Sequence, residues 1–301
     1  MNPQTALALS ALSFAIAGSV LALSTYIALW TGLLSFGTVA FAALGAFTTT
    51  FLINNMDLNF WLALLVSVIA GGIAGLIVGK VFIKLATHWL ALATVALVLI
   101  ARVLVVNFPG FTGGSGGTVV PVKLSIWELG LLLIFVCLLL SRLAQSKFGI
   151  AATTTREDPQ VAASLGVPVA RVRVIAFGIS GALGALGGVM LSTQLGYIDA
   201  DTFFIALSVT VIASVVLGGA YHWAGSVVGA AVFTGLPVYI SQFMTHGQFI
   251  INGLLLLVII VFLPGGLIDP VRWRRWRARR AGPGKSSQPM QSSSTDAEVL
   301  S

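Results

Sequence analysis

The chain alternates long apolar runs with short clusters of Gly, Pro, Asn and charge. Read between those breaks, it predicts helices over residues 6–29, 33–52, 60–82, 89–106, 126–141, 174–193, 205–217, 225–242 and 249–263. A helix needs about 20 apolar residues at 1.5 Å each to cross a bilayer, and most of these runs supply that. The second run is the irregular one, because residues 30–47 are rich in Gly, Ser and Thr and read as a broken or re-entrant segment. Such backbone is tolerated at membrane depth only under protein or beside water. The first run is too long for a cleaved leader and has no Lys or Arg ahead of it, so it is expected to span. The expected fold is an all-α polytopic bundle of about nine spans.

Composition agrees with that pattern. Of 301 residues, 57% are hydrophobic and 8% charged, with mean hydropathy +1.02. A soluble domain carries about a quarter of its residues as charges, so that class is excluded. The single cysteine, Cys137, lies within an apolar run and reads as a small core side chain. Fourteen of the sixteen basic residues fall on one face if there are nine spans, the exceptions being Arg102 within a span and Lys123. Cytoplasmic loops collect Lys and Arg, so the N-terminus is expected outside and the C-terminus inside. Residues 1–270 form the expected membrane domain. Residues 271–301 form a basic, Trp-containing juxtamembrane segment suited to lipid headgroups, then a Gly, Pro, Ser and Gln tail read as disordered. Glycines at four-residue spacing (Gly71, Gly75, Gly79; Gly184, Gly188; Gly225, Gly229) predict close helix crossings.

Catalytic strings fail on context. Gly113, Gly114, Ser115, Gly116 and Gly117 match a nucleophile elbow in letters only, since no strand and helix flank them. Ser180 lacks a histidine at its depth, and the residues around Lys285 lack the first glycine of a phosphate loop, because Arg279 stands there. No catalytic residue, no metal site and no nucleic-acid partner is expected. Asp57, Glu128, Asp199 and Asp201 are placed at the external boundary, which leaves Arg102 as the one ionisable side chain in the membrane interior. Its guanidinium either snorkels to water or faces inward to hold a carboxylate or a neighbouring helix.

Residues 141–173 form the longest interior loop, and residues 158–166 within it read as a complete miniature helix. Asp158 caps the start, Pro159 suits the first position, Gly166 ends it and Pro168 prevents continuation. Glu157 and Asp158 also complement the positive helix start. A two-turn helix is unstable alone. With Val161 and Leu165 on one side, it is expected to dock into something in the cytoplasm.

Taken in order, several stretches resemble one family: the inner-membrane permease subunits of ABC importers for branched-chain amino acids, in the LivM-like branch. They are Thr31, Gly32, Leu33, Leu34, Ser35, Phe36, Gly37 with Ala40, Phe41, Gly45, Ala46 and Phe47; Leu92, Ala93, Thr94 and then Arg102; Thr112, Gly113 and Gly114; Ser146, Lys147, Phe148, Gly149 through Arg156, Glu157, Asp158, Ala162, Ala163 and Gly166 to Ser180; and Leu217, Gly218, Gly219 with Gly225, Gly229 and Ala230. The resemblance implies a second homologous permease subunit, two cytoplasmic ATPase subunits and a periplasmic or extracellular binding protein. It also implies a bacterial inner-membrane location, with ATP on the partners and no cofactor on this chain.

By the same resemblance, Arg156, Glu157, Asp158, Pro159, Val161, Ala162, Ala163, Leu165 and Gly166 form the ATPase-coupling element. Ser35, Gly37, Thr38, Thr94, Arg102, Thr112, Gly113 and Gly114 are taken as the substrate pathway. Leu99 stands where the family tends to carry a glutamate, so Arg102 lacks the intrahelical partner the family supplies. That departure leaves urea and short amides as alternative substrates. An ion-coupled secondary transporter is the rival from another class.

Overall fold

The computed structural model describes residues 3–83, 85, 87–219 and 221–235. The expected span 249–263, the end of the span 225–242 and the tail 271–301 lie outside them. Helices α1 (Pro3–Trp30), α2 (Thr38–Met56), α3 (Phe60–Phe82) and α4 (Thr87–Asn107) follow one another, then a single turn, α5 (Pro109–Thr112). After β1 (Thr118–Val119) come α6 (Ile126–Ala144), α7 (Lys147–Glu157), α8 (Pro159–Ser164) and α9 (Val169–Leu195). The last described elements are β2 (Tyr197–Ile198), α10 (Ile205–Gly218) and α11 (Trp223–Ala230), which continues into a π turn.

Six of these, α1 to α4, α6 and α9, are long and apolar enough to cross a membrane, while α10 and the Trp223–Gly235 segment are shorter. The protein is a mostly helical, multi-pass membrane protein. The hydrophobic runs locate α3 at both ends and α1, α4 and α6 closely.

Four features differ from the sequence reading, the first being α9, which begins at Val169 rather than residue 174. α2 begins at Thr38 rather than residue 33, because residues 33–37 are non-helical. The interior loop holds two helices rather than one. α7 escapes the hydrophobic pattern because it carries three consecutive threonines and no apolar stripe; Gly149 lets it pack hard on the end of α6, where a Cβ would fall 2.8 Å from the Leu143 carbonyl oxygen. The all-α expectation is relaxed by one antiparallel pair, with Thr118 opposite Ile198 and Val119 opposite Tyr197. Two residues carry no periodicity, so such a pair is invisible before the chain folds.

α9 is the axis of the bundle, packed on α1, α2 and α3. Its glycines explain how. A Cβ on Gly71 of α3 would lie 2.6 Å from the Gly181 carbonyl oxygen, and one on Gly188 of α9 would lie 2.6 Å from backbone atoms of Ala42. Backbones that close gain dispersion and Cα–H···O contact where lipid offers no hydrophobic drive. Side-chain hydroxyls add cross-links: Ser24 Oγ donates to the Ser180 carbonyl at 2.7 Å, and Thr49 Oγ1 donates to Ser67 Oγ at 2.7 Å. Outward, α3, α4 and α6 carry exposed Leu, Ile, Val and Phe on their far faces.

The bundle has two distinct ends. At one, α7 and α8 lie beside the Trp30 end of α1. At the other, the β1–β2 pair closes over the Met56 end of α2, where Asn54 Nδ2 donates to the Val119 carbonyl at 3.1 Å. α6 starts at that end under a capping box formed by Ser125 and Glu128.

Candidate substrate pathway and coupling site

Between α1 and α2 the chain turns back inside the bundle. Thr25 Oγ1 and Thr38 Oγ1 are 2.8 Å apart, so α2 starts level with Thr25, about 8 Å short of the α1 terminus at 1.5 Å per residue. Residues 31–37 are therefore irregular backbone at depth. Each peptide group there needs a partner, because a buried orphan costs about 1–3 kcal/mol. The Leu33 amide donates to the Ala28 carbonyl, the Gly37 amide to Ser35 Oγ at 3.1 Å, and the Phe36 amide to Thr94 Oγ1 of α4 at 3.0 Å. The Phe36 carbonyl accepts from Ser208 Oγ of α10 at 3.4 Å. Ser35, Gly37, Thr38 and Thr94 thus converge at one place. Thr25 and Ser208 complete it and were not singled out in the sequence, since single hydroxyls within apolar runs carry no spacing signal.

α10 also starts inside. Its 14 residues extend about 21 Å, short of a 30 Å core, and its first turn is level with Phe36. The preceding residues descend from β2, with Phe203 edge-on to Phe47 of α2 at 6.2 Å between centroids. Here Arg102 finds its partner. Its Nε and Nη2 donate to Asp201 Oδ1 at 3.0 and 2.7 Å, and the guanidinium carbon stands 4.7 Å from the centre of the Phe204 ring. Arg102 reaches to another element, the segment before α10. Asp201 follows β2 by three residues and pairs with Arg102 from the segment that leads into α10. Arg102 lies eight residues beyond Thr94, about 12 Å along α4, and five residues, about 8 Å, before its end at Asn107. Arg102 is 42% and Asp201 69% exposed.

The neighbouring Asp199 is tied down. Its Oδ1 accepts from Thr202 Oγ1 at 2.6 Å, from the Thr202 amide at 2.8 Å and from the Asp201 amide at 3.2 Å. The Thr202 hydroxyl, followed by those amides, holds the Asp199 carboxyl below its ordinary pKa.

Thr112, Gly113 and Gly114 form a separate group near the β1–β2 end. Thr112 Oγ1 donates to the carbonyls of Val105 and Phe108, and the Gly114 amide donates back to Thr112 Oγ1 at 3.2 Å. Gly113 at φ +79° ends α5, and a Cβ there would overlap Gly117. This motif builds the cap over α4. An apolar cleft of about 260 Å³ lies beneath it between α2 and α4, lined in part by Leu44, Phe47, Leu104 and Phe108.

At the opposite end, α8 has the boundaries its letters specify. Asp158 Oδ1 accepts from the amides of Gln160 and Val161 at 2.7 and 3.1 Å. Pro159 sits at the first position, and Gly166, at φ +81°, follows the helix. The Val167 amide returns to the Ala162 carbonyl and the Gly166 amide to the Ala163 carbonyl, both at 3.0 Å. Ala162 is buried, while Val161 (54%) and Leu165 (71%) are exposed, as are Ala163, Glu157 and Gly166.

α7 joins this short rod to the bundle. Trp30 Nε1 donates to Thr153 Oγ1 at 3.0 Å, the rings of Trp30 and Phe148 meet edge to face, and Gly32 at φ +79° lies against the Arg156 backbone. The Arg156 guanidinium stands over the Tyr221 ring at 4.7 Å, just past the end of α10. Tyr221 had drawn no notice in the sequence.

Residues 7–263 match the family described as "Branched-chain amino acid transport system / permease component". The chain belongs to that family. It is 26% identical over 276 residues to the high-affinity branched-chain amino acid transport system permease protein LivM of Salmonella typhimurium, covering 80% of this chain, and equally to LivM of Escherichia coli K12. The chain spans 65% of the length of these relatives. It is also 30% identical over 158 residues to the autoinducer 2 import system permease protein LsrC of Escherichia coli K12 / DH10B, covering 47% of this chain and 44% of that one. No solved structure matches. The family is one of membrane permease subunits of ABC transporters, not of enzymes.

Proposed function

We propose that this chain is the transmembrane permease subunit of an ABC importer in the bacterial inner membrane, carrying branched-chain or related amino acids. A periplasmic or extracellular binding protein delivers the solute, a second homologous subunit completes the path, and two cytoplasmic ATPase subunits drive it with their own ATP. This chain binds no nucleotide and no cofactor. The orientation is N-terminus outside and C-terminus inside, with nine spans. The observation that carries the reading is α8, a fully capped rod that presents Val161 and Leu165 outward and is held through α7 to both α1 and α10. Closure of the ATPases pushes α8; α7 passes the displacement through Trp30 and Tyr221 to helices that border the re-entrant segment, switching its access between the two sides.

The test is the reconstituted complex carrying Ala163→Glu, which puts a charge on the exposed face of α8 without touching its core. Solute-stimulated ATP hydrolysis is expected to disappear while insertion stays normal, and retained transport refutes the coupling role. Uptake that persists without ATPase subunits and collapses with an uncoupler establishes a secondary transporter instead. A reporter fused at Thr5 is expected to read external. The partial likeness to LsrC favours testing other solutes, so urea and acetamide are set against leucine in competition; inhibition by these rather than by leucine moves the substrate to short amides.

A further inference from the structure

Arg102 and Asp201 stand exposed, Arg102 among the exposed Leu99, Ile100, Val103 and Leu104 of α4, a helix long and apolar enough to cross a membrane. Lipid does not solvate such a pair, so the face formed by Arg102, Asp201 and Phe204 borders water or protein. The pair itself is only partly engaged. Both guanidinium donors converge on a single oxygen, Oδ1, rather than forming the two parallel bonds of a full fork. Asp199 is locked into its own turn by Thr202, whereas Asp201 contributes only its amide to that turn and its carboxylate accepts from Arg102. Asp201 also begins the descent into α10, whose far end adjoins Tyr221 and Arg156.

Resting on the importer reading, we infer that this face lines a water-filled cavity closed by the second permease subunit. In it, the Arg102–Asp201 pair is a latch that a carboxylate-bearing solute opens. The solute's carboxylate displaces Asp201 Oδ1 from Arg102, releasing the non-helical lead into α10. Arg102 therefore selects for an anionic group, and Asp201 holds its place when no solute is present.

The test uses the intact complex with Cys137→Ser, which removes the one native cysteine. Arg102→Cys and Asp201→Cys are each probed with membrane-impermeant thiol reagents added from outside, beside Leu131→Cys on the apolar face of α6. The first two are expected to react at least tenfold faster than the third. Equal rates at all three, or no reaction at either charged position, overturn the cavity. This arm is read without transport, so it stands apart from the importer reading. In the second arm, uptake of radiolabelled leucine falls at least tenfold in Arg102→Cys and recovers when a cationic reagent, but not an anionic one, modifies the thiol; recovery also demonstrates a folded variant. Arg102→Lys keeps the charge and is expected to retain most uptake. Unchanged leucine uptake in Arg102→Cys, or equal rescue by both reagents, refutes the latch.

Discussion

Gly75 of α3 lies directly against Phe177 of α9: a Cβ on Gly75 would overlap the Phe177 carbonyl oxygen and stand 3.1 Å from the Gly178 Cα. The crossing of the two helices is set by the missing side chain. Gly75→Ala is expected to force the backbones apart at a cost of about 1–3 kcal/mol, the usual penalty of overpacking. Gly130→Ala on α6 meets nothing within 4 Å and is expected to be neutral or mildly stabilising. Melting temperatures in detergent compare the two, and equal shifts refute the tight crossing.

The Phe36 amide relies on one hydroxyl. Thr94→Val keeps the shape of the side chain but removes the acceptor, leaving the amide unpaired at depth for about 1–3 kcal/mol. Thr94→Ser restores the oxygen and is expected to behave as wild type. Thermal stability of the three proteins, with solute uptake alongside, decides whether residues 33–37 need this clasp; a Val variant as stable as the Ser variant argues that they do not.

At α8 the capping interaction and the exposed surface separate cleanly. Asp158→Ala removes the acceptor for two amides and is expected to cost about 1 kcal/mol of local helix stability. Asp158→Asn retains most of it. Hydrogen exchange at Val161 and Ala162 reports the fraying directly, and coupled ATP hydrolysis should fall with it. Exchange that is unchanged in the Ala variant would show that packing by Ala162, not the cap, orders the rod.

Asp199 supplies a pH dependence of defined sign. Its folded pKa is depressed chiefly by the Thr202 hydroxyl, so its contribution is fully present above the ordinary carboxylate pKa and is lost as pH falls through the lower folded value. Thr202→Val is therefore expected to be less stable than wild type near neutral pH, with the gap shrinking as the solution becomes acidic enough to protonate the carboxyl in both. A stability difference that is constant from neutral to strongly acidic pH rules out this linkage.

Letters alone were sufficient for the features governed by local chemistry. Apolar runs located most of the spans, since a lipid-facing helix needs an uninterrupted stretch whatever lies beside it. Asp158, Pro159 and Gly166 delimited α8, because caps and stop signals act within one turn. The Gly and Ser content of residues 30–47 announced a break in the helix, and the four-residue glycine spacing announced close crossings.

Tertiary structure decided everything that depends on partners distant in the chain. Arg102 and Asp201 are 99 residues apart, and nothing local says that the segment before α10 sinks far enough for them to meet. Phe36 lies between hydroxyls from two other helices, α7 packs against α1 and α6, and the two-residue strands exist only as a pair. Sequence specifies what each segment can be on its own; depth in the membrane and the pairing of isolated polar groups are set by packing, where the cost of leaving one charge or one amide unmatched selects the arrangement.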